Sequence, residues 1–130
     1  MSDPHEGGRG RPAGLSAQEA QEASARLDAE HAAAQQRLAA LQRDFDAVVR
    51  SAEGAADDEH DPDGTTAYER QHVAAQIDQA RDQLAAAQAA LDRLRSGSYG
   101  ICERCGQRIA AERLEARPTA ATCVACASRQ

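Results

Sequence analysis

Two heptad repeats of apolar residues, a short linker between them and four cysteines confined to the last 29 residues predict an all-α fold. We expect a long antiparallel coiled-coil helical hairpin followed by a small C4 zinc-finger domain. The expected boundaries are a disordered N-terminal tail at 1–14, the hairpin at 15–96 with an acidic tip at 54–64, and the zinc finger at 97–130.

The composition argues against one large globular core. The 130 residues include one Phe, two Tyr and no Trp, and alanine supplies most of the hydrophobic fraction. Few large side chains are therefore available to fill a core. Residues 1–14 consist mainly of Gly, Pro and charged residues with little to bury, so we expect this tail to be disordered.

Neither a membrane span nor a signal peptide is expected from the sequence. No apolar run reaches the length that a membrane-spanning helix needs, and the N-terminus lacks a hydrophobic region. We therefore expect a cytoplasmic protein that does not bind membranes. In that compartment thiols stay reduced, and cysteine pairs bind metal rather than form disulfides.

The first predicted helix, 16–53, carries a start signal followed by a heptad repeat. Ser16 is the candidate N-cap and Glu19 stands three residues later, which is the capping-box pattern. Beyond it the spacing alternates between four and three, a pattern typical of a coiled coil. The positions of this first seam are Leu27, His31, Ala34, Leu38, Leu41, Phe45, Val48 and Ala52.

The second predicted helix, 65–95, has a seam with the same spacing. The linker before it, 54–64, is bounded by Gly54 and Gly64 and contains Pro62. Because so short a linker returns the chain alongside itself, the two helices are expected to pack as an antiparallel hairpin. The positions of the second seam are Val73, Ile77, Ala80, Leu84, Ala87, Leu91 and Leu94.

The four cysteines form two Cys-x-x-Cys pairs separated by 17 residues: Cys102, Cys105, Cys123 and Cys126. Each pair can supply two thiolates to one side of a tetrahedral ion, and this spacing predicts one structural Zn²⁺. A redox dithiol pair or an iron–sulfur cluster is the alternative. Since all four ligands are thiolates, no coordination position remains for a catalytic water.

Metal binding is expected to stabilise the C-terminal segment. Its apolar residues are few, with a short helix predicted at 110–116 and Pro118 beyond it. Apparent binding free energies of structural zinc are roughly 10–16 kcal/mol, and they act as folding free energy. We therefore expect the finger to depend on its ion.

The distribution of charge argues against sequence-specific DNA binding. The formal net charge is -6, with sixteen acidic and eight basic residues in 15–96 and three acidic and five basic residues in 97–130. Nucleic-acid affinity depends on clustered basic residues that neutralise phosphates. The predicted zinc–tetrathiolate centre also carries a formal charge of -2, so the finger adds no net positive field.

The densest charge lies in the predicted tip, where Glu53–Asp63 contains six acidic residues and no Lys or Arg. From the charge alone, a solvated acidic loop is the favoured interpretation. The alternative is a tip whose residues Asp57, Asp58, Asp61 and Asp63 contact a basic or metal-containing site on a partner. A calcium-binding EF-hand is disfavoured, because Arg70 stands at position twelve of the loop, where a bidentate Glu is needed.

No arrangement of residues typical of catalysis is recognisable. His5, His31, His60 and His72 have no Ser or Cys partner at a recognisable spacing, and there is no Gly-rich phosphate loop. We therefore expect no enzymatic activity.

Three strings in the C-terminal segment resemble the C4 zinc finger of the DksA/TraR family. They are Tyr99-Gly-Ile-Cys102-Glu-Arg-Cys105-Gly, Arg113-Leu-Glu-Ala-Arg117-Pro-Thr-Ala and Cys123-x-x-Cys126. The resemblance implies a transcription regulator that binds bacterial RNA polymerase and inserts an acidic-tipped coiled coil into its secondary channel to modulate initiation. The family's tip motif is Asp-x-x-Asp-x-Ala; Asp58 and Asp61 match it, and Asp63 stands where Ala is expected.

Family members that respond to the alarmone ppGpp use basic residues near the finger. Arg113 and Arg117 are the candidate effector or finger-packing residues, and Arg117 matches one basic position of the family. Ala127, however, occupies the position where a Lys is expected, and the chain contains no Lys. Binding of ppGpp is therefore not carried over.

Two other functions compete with polymerase regulation. One is a non-catalytic adaptor in which the coiled coil and finger bind another protein. The other is a polymerase accessory that promotes transcript cleavage, because cleavage factors also use an acidic-tipped hairpin.

Overall fold

The computed structural model describes residues 15–58 and 65–129 and confirms the predicted all-α fold. Its helices are α1 (Ala17–Asp58), α2 (Thr65–Ser96), α3 (Ala111–Ala116) and α4 (Val124–Ser128). The described residues contain no strand, only an isolated antiparallel bridge between Ile101 and Arg108. They divide into two compact units. We call 15–30 with 86–129 the finger unit and the rest of the described chain, within 31–85, the hairpin unit.

The capping box predicted at the start of α1 is confirmed. The backbone N–H of Ser16 donates to Glu19 Oε1 at 2.9 Å, and the N–H of Glu19 donates to Ser16 Oγ at 3.1 Å. Two N–H groups without helical partners are thereby satisfied. The bond from the Ser16 backbone also lowers the pKa of Glu19.

The end of α1 differs from the prediction. The helix continues through Gly54 to Asp58, five residues beyond the predicted end at 53. A glycine inside a helix costs only about 1 kcal/mol relative to alanine, and the next two residues are alanines, which favour the helix. Asp57 and Asp58 therefore belong to the last turn of α1 rather than to a loop. The other two predicted tip residues, Asp61 and Asp63, lie outside the described residues.

Both predicted seams are confirmed by the burial of their side chains. No seam position is exposed; in the hairpin unit Ala34, Ile77 and Ala80 are buried and the other seam residues are half-buried. Alanines at these positions let the helix backbones approach closely. Arg37 of α1 also donates a hydrogen bond to Gln83 of α2, so polar as well as apolar contacts join the helices in this unit.

The finger unit contains one hydrophobic core built from all four helices and the Cys loops. Leu27 and Cys102 are its largest fully buried side chains. The core therefore combines helix residues with metal-binding cysteines. Its buried members are Ala23, Leu27, Ala90, Tyr99, Cys102, Ile109, Leu114, Ala120 and Cys126.

A glycine turn ends α2 and directs the chain toward the first Cys pair. Gly97 has φ +87°, the left-handed conformation that suits the residue after a helix. The N–H groups of Ser98 and Tyr99 both donate to Arg93 O, at 2.9 and 3.2 Å. These bonds satisfy a carbonyl of the last helical turn and fix where Tyr99 enters the core.

No helix among the described residues combines the length and apolar character that crossing a membrane requires.

Replacing Leu27 by Ala is predicted to lower the free energy of unfolding by about 2–5 kcal/mol. The reason is that Leu27 is fully buried in the finger-unit core, where its loss leaves a cavity. Urea denaturation followed by helical circular dichroism measures the change. Leu41→Ala is the control; because Leu41 is half-buried, its loss is expected to be smaller. Equal losses for both variants would contradict the burial pattern.

Candidate metal centre

The four cysteines come together in the finger unit. Their Sγ atoms all lie within 4.8 Å of one another, and Cys105 Sγ is 3.8 Å from Cys123 Sγ. Cys102 and Cys126 are buried, Cys123 is half-buried and Cys105 is exposed. One edge of the cluster therefore faces solvent while the opposite edge belongs to the core.

A tight turn carries the first pair. The N–H of Cys102 donates to Gln107 O at 2.8 Å, and the N–H of Gly106 donates to Cys102 O at 2.8 Å. Gly106 has φ +79°, so a glycine suits this position. The turn also brings the N–H of Arg104 to 3.4 Å from Cys102 Sγ. The backbone thereby presents both sulfurs of the pair on one side.

The start of α4 carries the second pair. Cys123 occupies the N-cap position, and the N–H of Ala127 donates to Cys123 O at 2.9 Å. Cys126 follows within the helix. The two pairs are held together by the N–H of Glu103, which donates to Ala121 O at 2.9 Å. The helix α4 was not predicted from the sequence, whereas α3 falls within one residue of its predicted start.

The cluster fits one structural zinc ion. Tetrahedral Zn²⁺ with Zn–S distances of about 2.3 Å places its sulfurs about 3.8 Å apart. The Cys105–Cys123 separation of 3.8 Å equals this value, and all other pairs are within 4.8 Å. Four thiolates complete the coordination, so the ion would be held by Cys102, Cys105, Cys123 and Cys126 and would serve structure.

The surroundings make the cysteines unequal acids. Burial acts to raise the pKa of Cys102, but hydrogen bonds from the backbone of Cys123, Cys105 and Arg104 outweigh it and lower the value to about 6. Burial, together with the neighbouring thiols, raises the pKa of Cys126 to about 11. Since a ligating cysteine must be deprotonated, metal binding at this cluster is coupled to proton release.

The other predicted site residues have different surroundings. Arg113 is half-buried, and its Nε donates to Thr122 O at 2.8 Å, which ties α3 to the residue before Cys123. Arg117 is exposed. Asp57 and Asp58 belong to the hairpin unit, whereas the four cysteines belong to the finger unit.

Tyr99 is a structural residue, although in the sequence it stands out only as the first residue of a motif. It is 3% exposed, and its hydroxyl donates to Pro118 O at 2.7 Å. Burial raises the pKa of Tyr99, although the positive charges of Arg26 and Arg93 oppose this. Arg93 Nη2 also reaches Thr119 O at 3.4 Å. Tyr99 and Arg93 thus hold the segment between α3 and the second Cys pair.

The C-terminal finger resembles known proteins in sequence. Residues 97–130 match the family model of the prokaryotic DksA/TraR C4-type zinc finger. RNA polymerase-binding transcription factor DksA of Haemophilus influenzae is 46% identical over 39 residues, 30% of this chain and 27% of that protein. An uncharacterized protein of Aquifex aeolicus is 50% identical over 38 residues, 29% of this chain and 26% of that protein. The chain covers about a quarter of the length of these two relatives.

The resemblance of fold extends further than that of sequence. The structure of transcription factor DksA2 from Pseudomonas aeruginosa matches with a TM-score of 0.53 and 25% identity. The match covers 82% of this chain and 83% of that one. It therefore includes helices outside the finger.

Cys102→Ser is predicted to weaken zinc binding by more than roughly 100-fold. Loss of a residue that only hydrogen-bonds to a metal ligand already weakens binding by roughly 10–100-fold. The variant removes a buried ligand itself. Zinc content after gel filtration, with competition by a chromophoric chelator, measures the loss. Glu103→Gln, an exposed change in the same turn, should retain one zinc per chain. If Cys102→Ser kept one zinc per chain with wild-type affinity, a four-cysteine site would be contradicted.

Tyr99→Phe is predicted to lower the free energy of unfolding of the zinc-loaded protein by about 1–3 kcal/mol, because Pro118 O loses its partner. Thermal unfolding at fixed zinc concentration measures the change. Tyr68→Phe is the matched control. Tyr68 is 71% exposed, so this change is expected to stay within about 0.5 kcal/mol. The role of the hydroxyl would be refuted if the two variants unfolded alike.

Proposed function

We propose that this chain, whose residues 97–130 form a DksA/TraR C4-type zinc finger, is a transcription factor that binds bacterial RNA polymerase. The observation that carries the proposal is the match to DksA2 over 82% of the chain, which joins the finger to the helix pair of a named transcription factor. The DksA of H. influenzae, which shares the finger, is by its name RNA polymerase-binding. Because its proposed partner acts in the bacterial cytoplasm, we propose a cytoplasmic location for the chain.

The proposed mechanism uses the helix pair to carry acidic residues into the polymerase secondary channel. Asp57, Asp58, Asp61 and Asp63 are the residues that we expect to contact the partner there. Carboxylates at this position can attract basic side chains or perturb a bound divalent cation. Initiation would change because such contacts alter the stability of the polymerase–promoter complex.

The position of Asp57 and Asp58 in α1 supports a role beyond stability. Both lie in the last helical turn, where the helix dipole is negative and where α1 has no basic residue. Acidic residues there are unfavourable to the helix by about 0.3–1 kcal/mol each in exposed positions. Acidic residues at an unfavourable position therefore support a role in contact with a partner.

The charge of the chain favours a protein partner over DNA. Sixteen acidic residues against eight arginines in 15–96 would repel phosphates. In the finger, Arg113 is engaged with Thr122 O, so we assign it to packing. Arg117 is exposed and remains a candidate for contact with the polymerase. Neither sequence-specific DNA binding nor ppGpp binding forms part of the proposal, and the chain is proposed to act without enzymatic activity.

In vitro transcription with polymerase from the same organism tests the proposal. The wild-type protein should bind the polymerase and change the lifetime of open complexes. The Asp58→Asn/Asp61→Asn variant should still bind the polymerase, but its effect on the lifetime of open complexes should be about tenfold smaller. This corresponds to about 1.4 kcal/mol of lost interaction. The matched control is Asp28→Asn/Asp44→Asn, which removes the same charge from exposed positions of α1 and should behave as wild type.

The other outcomes separate the competing functions. A wild-type protein that does not bind polymerase contradicts the proposal. Binding without any change in transcription indicates an adaptor. Release of the 3′ end of a backtracked transcript indicates a cleavage accessory, and equal effects of the two double variants would show that the acidic tip has no special role.

A further inference from the structure

The zinc centre concentrates negative charge in a partly apolar environment. One Zn²⁺ and four thiolates carry a formal charge of -2. Two of the sulfurs belong to Cys102 and Cys126, which are 1% and 2% exposed and lie in the hydrophobic core. Burying net charge is costly unless a partner of opposite charge or hydrogen bonds compensate it. The finger unit must therefore supply such partners to the buried edge of the cluster.

The first buried sulfur receives a backbone hydrogen bond. The N–H of Arg104 lies 3.4 Å from Cys102 Sγ. The guanidinium of the same residue reaches across to the second pair, with Nη1 3.5 Å from Cys126 O. Arg104 thus contacts both halves of the site, but its charged group touches a carbonyl rather than a sulfur.

The second buried sulfur has a charged partner in Arg129, the residue that caps the C-terminus of α4. Nη2 of Arg129 lies 3.7 Å from Cys126 Sγ, and its backbone N–H donates to Cys126 O at 3.2 Å. Side chain and backbone of one residue therefore hold the same cysteine. Hydrogen bonds between ionised groups are stronger than those between neutral ones.

The remaining arginines of the finger with described contacts are used differently. Arg93 donates to Thr119 O, Arg113 to Thr122 O and Arg95 to Asp92 Oδ1, so their contacts are with oxygen atoms. Among the contacts of the described residues, the guanidinium-to-sulfur contact belongs to Arg129 alone. The exposed Arg117 lies in the same unit and offers a residue of equal charge for comparison.

We propose that Arg129 is the charge-compensating partner of the zinc–tetrathiolate centre and slows release of the ion. Its guanidinium offsets part of the -2 charge at Cys126 Sγ and donates a hydrogen bond to that sulfur. Arg129 is a positioning residue: it acts on the metal through the sulfur. This inference does not depend on which partner the protein binds.

Zinc release from the full-length protein to a chromophoric chelator tests the proposal, at low salt and at about 1 M NaCl. Three variants are compared with the wild type: Arg129→Met removes the charge and the donors, Arg129→Lys keeps the charge, and Arg117→Met removes equal charge away from the sulfurs. Because Arg129 is exposed, the expected acceleration in Arg129→Met is moderate, about two- to fivefold at low salt. The zinc-release rate of Arg129→Lys should fall between those of Arg129→Met and the wild type, and Arg117→Met should release zinc at the wild-type rate.

Salt separates charge compensation from a packing effect. At about 1 M salt the screening length falls to about 3 Å, so the difference between Arg129→Met and wild type should shrink. In the cobalt-substituted proteins, Arg129→Met should shift the sulfur-to-metal charge-transfer band to lower energy, because the sulfur loses its donor. The proposal is overturned if Arg129→Met releases zinc at the wild-type rate, if Arg117→Met has an equal effect, or if the difference is the same at both salt concentrations.

Discussion

Cys102 and Cys126 are metal ligands and core residues at once, and the rest of the finger unit depends on this double role. Their side chains are almost fully buried beside Leu27 and Ala90, residues of the two long helices. Burial disfavours the thiolate form of both side chains; backbone hydrogen bonds outweigh this at Cys102, whereas the thiolate of Cys126 is unfavourable without a cation. The ion therefore satisfies the sulfurs, and the satisfied sulfurs allow the helix ends, Tyr99 and the Cys loops to share one core.

The seams of the long helices, in contrast, contain small apolar side chains and no metal ligands. They contain many alanines, which bury little apolar area per residue but permit close packing of the backbones. Stability is therefore distributed over many small contacts. The acidic end of α1 adds unfavourable charge at the negative end of a helix dipole. A sequence optimised for stability alone would place basic residues there, which agrees with the functional role proposed for this segment.

The sequence predicted those features that depend on local pattern. The capping box of Ser16 and Glu19, the two seams and the four cysteines all follow from spacing that a helix or a tetrahedral ion imposes. The pattern predicts too early an end for α1, because Gly54 resembles a helix stop although the neighbouring alanines sustain the helix to Asp58. The helix α4 and the contacts of Tyr99 and Arg129 were missed. They depend on three-dimensional packing around the cysteines, and Arg129 in particular carries no spacing signal that distinguishes it from the other arginines.

Hydrogen–deuterium exchange with and without zinc tests most directly whether the ion organises the finger-unit core. Removal of zinc by a chelator is predicted to abolish protection of the hydrogen-bonded amides of Cys102, Glu103, Gly106 and Ile109. Amides of the hairpin unit, within 31–58 and 67–85, should keep their protection. Retention of protection at these finger amides in the metal-free protein would contradict this prediction, because the core would then form without its ion.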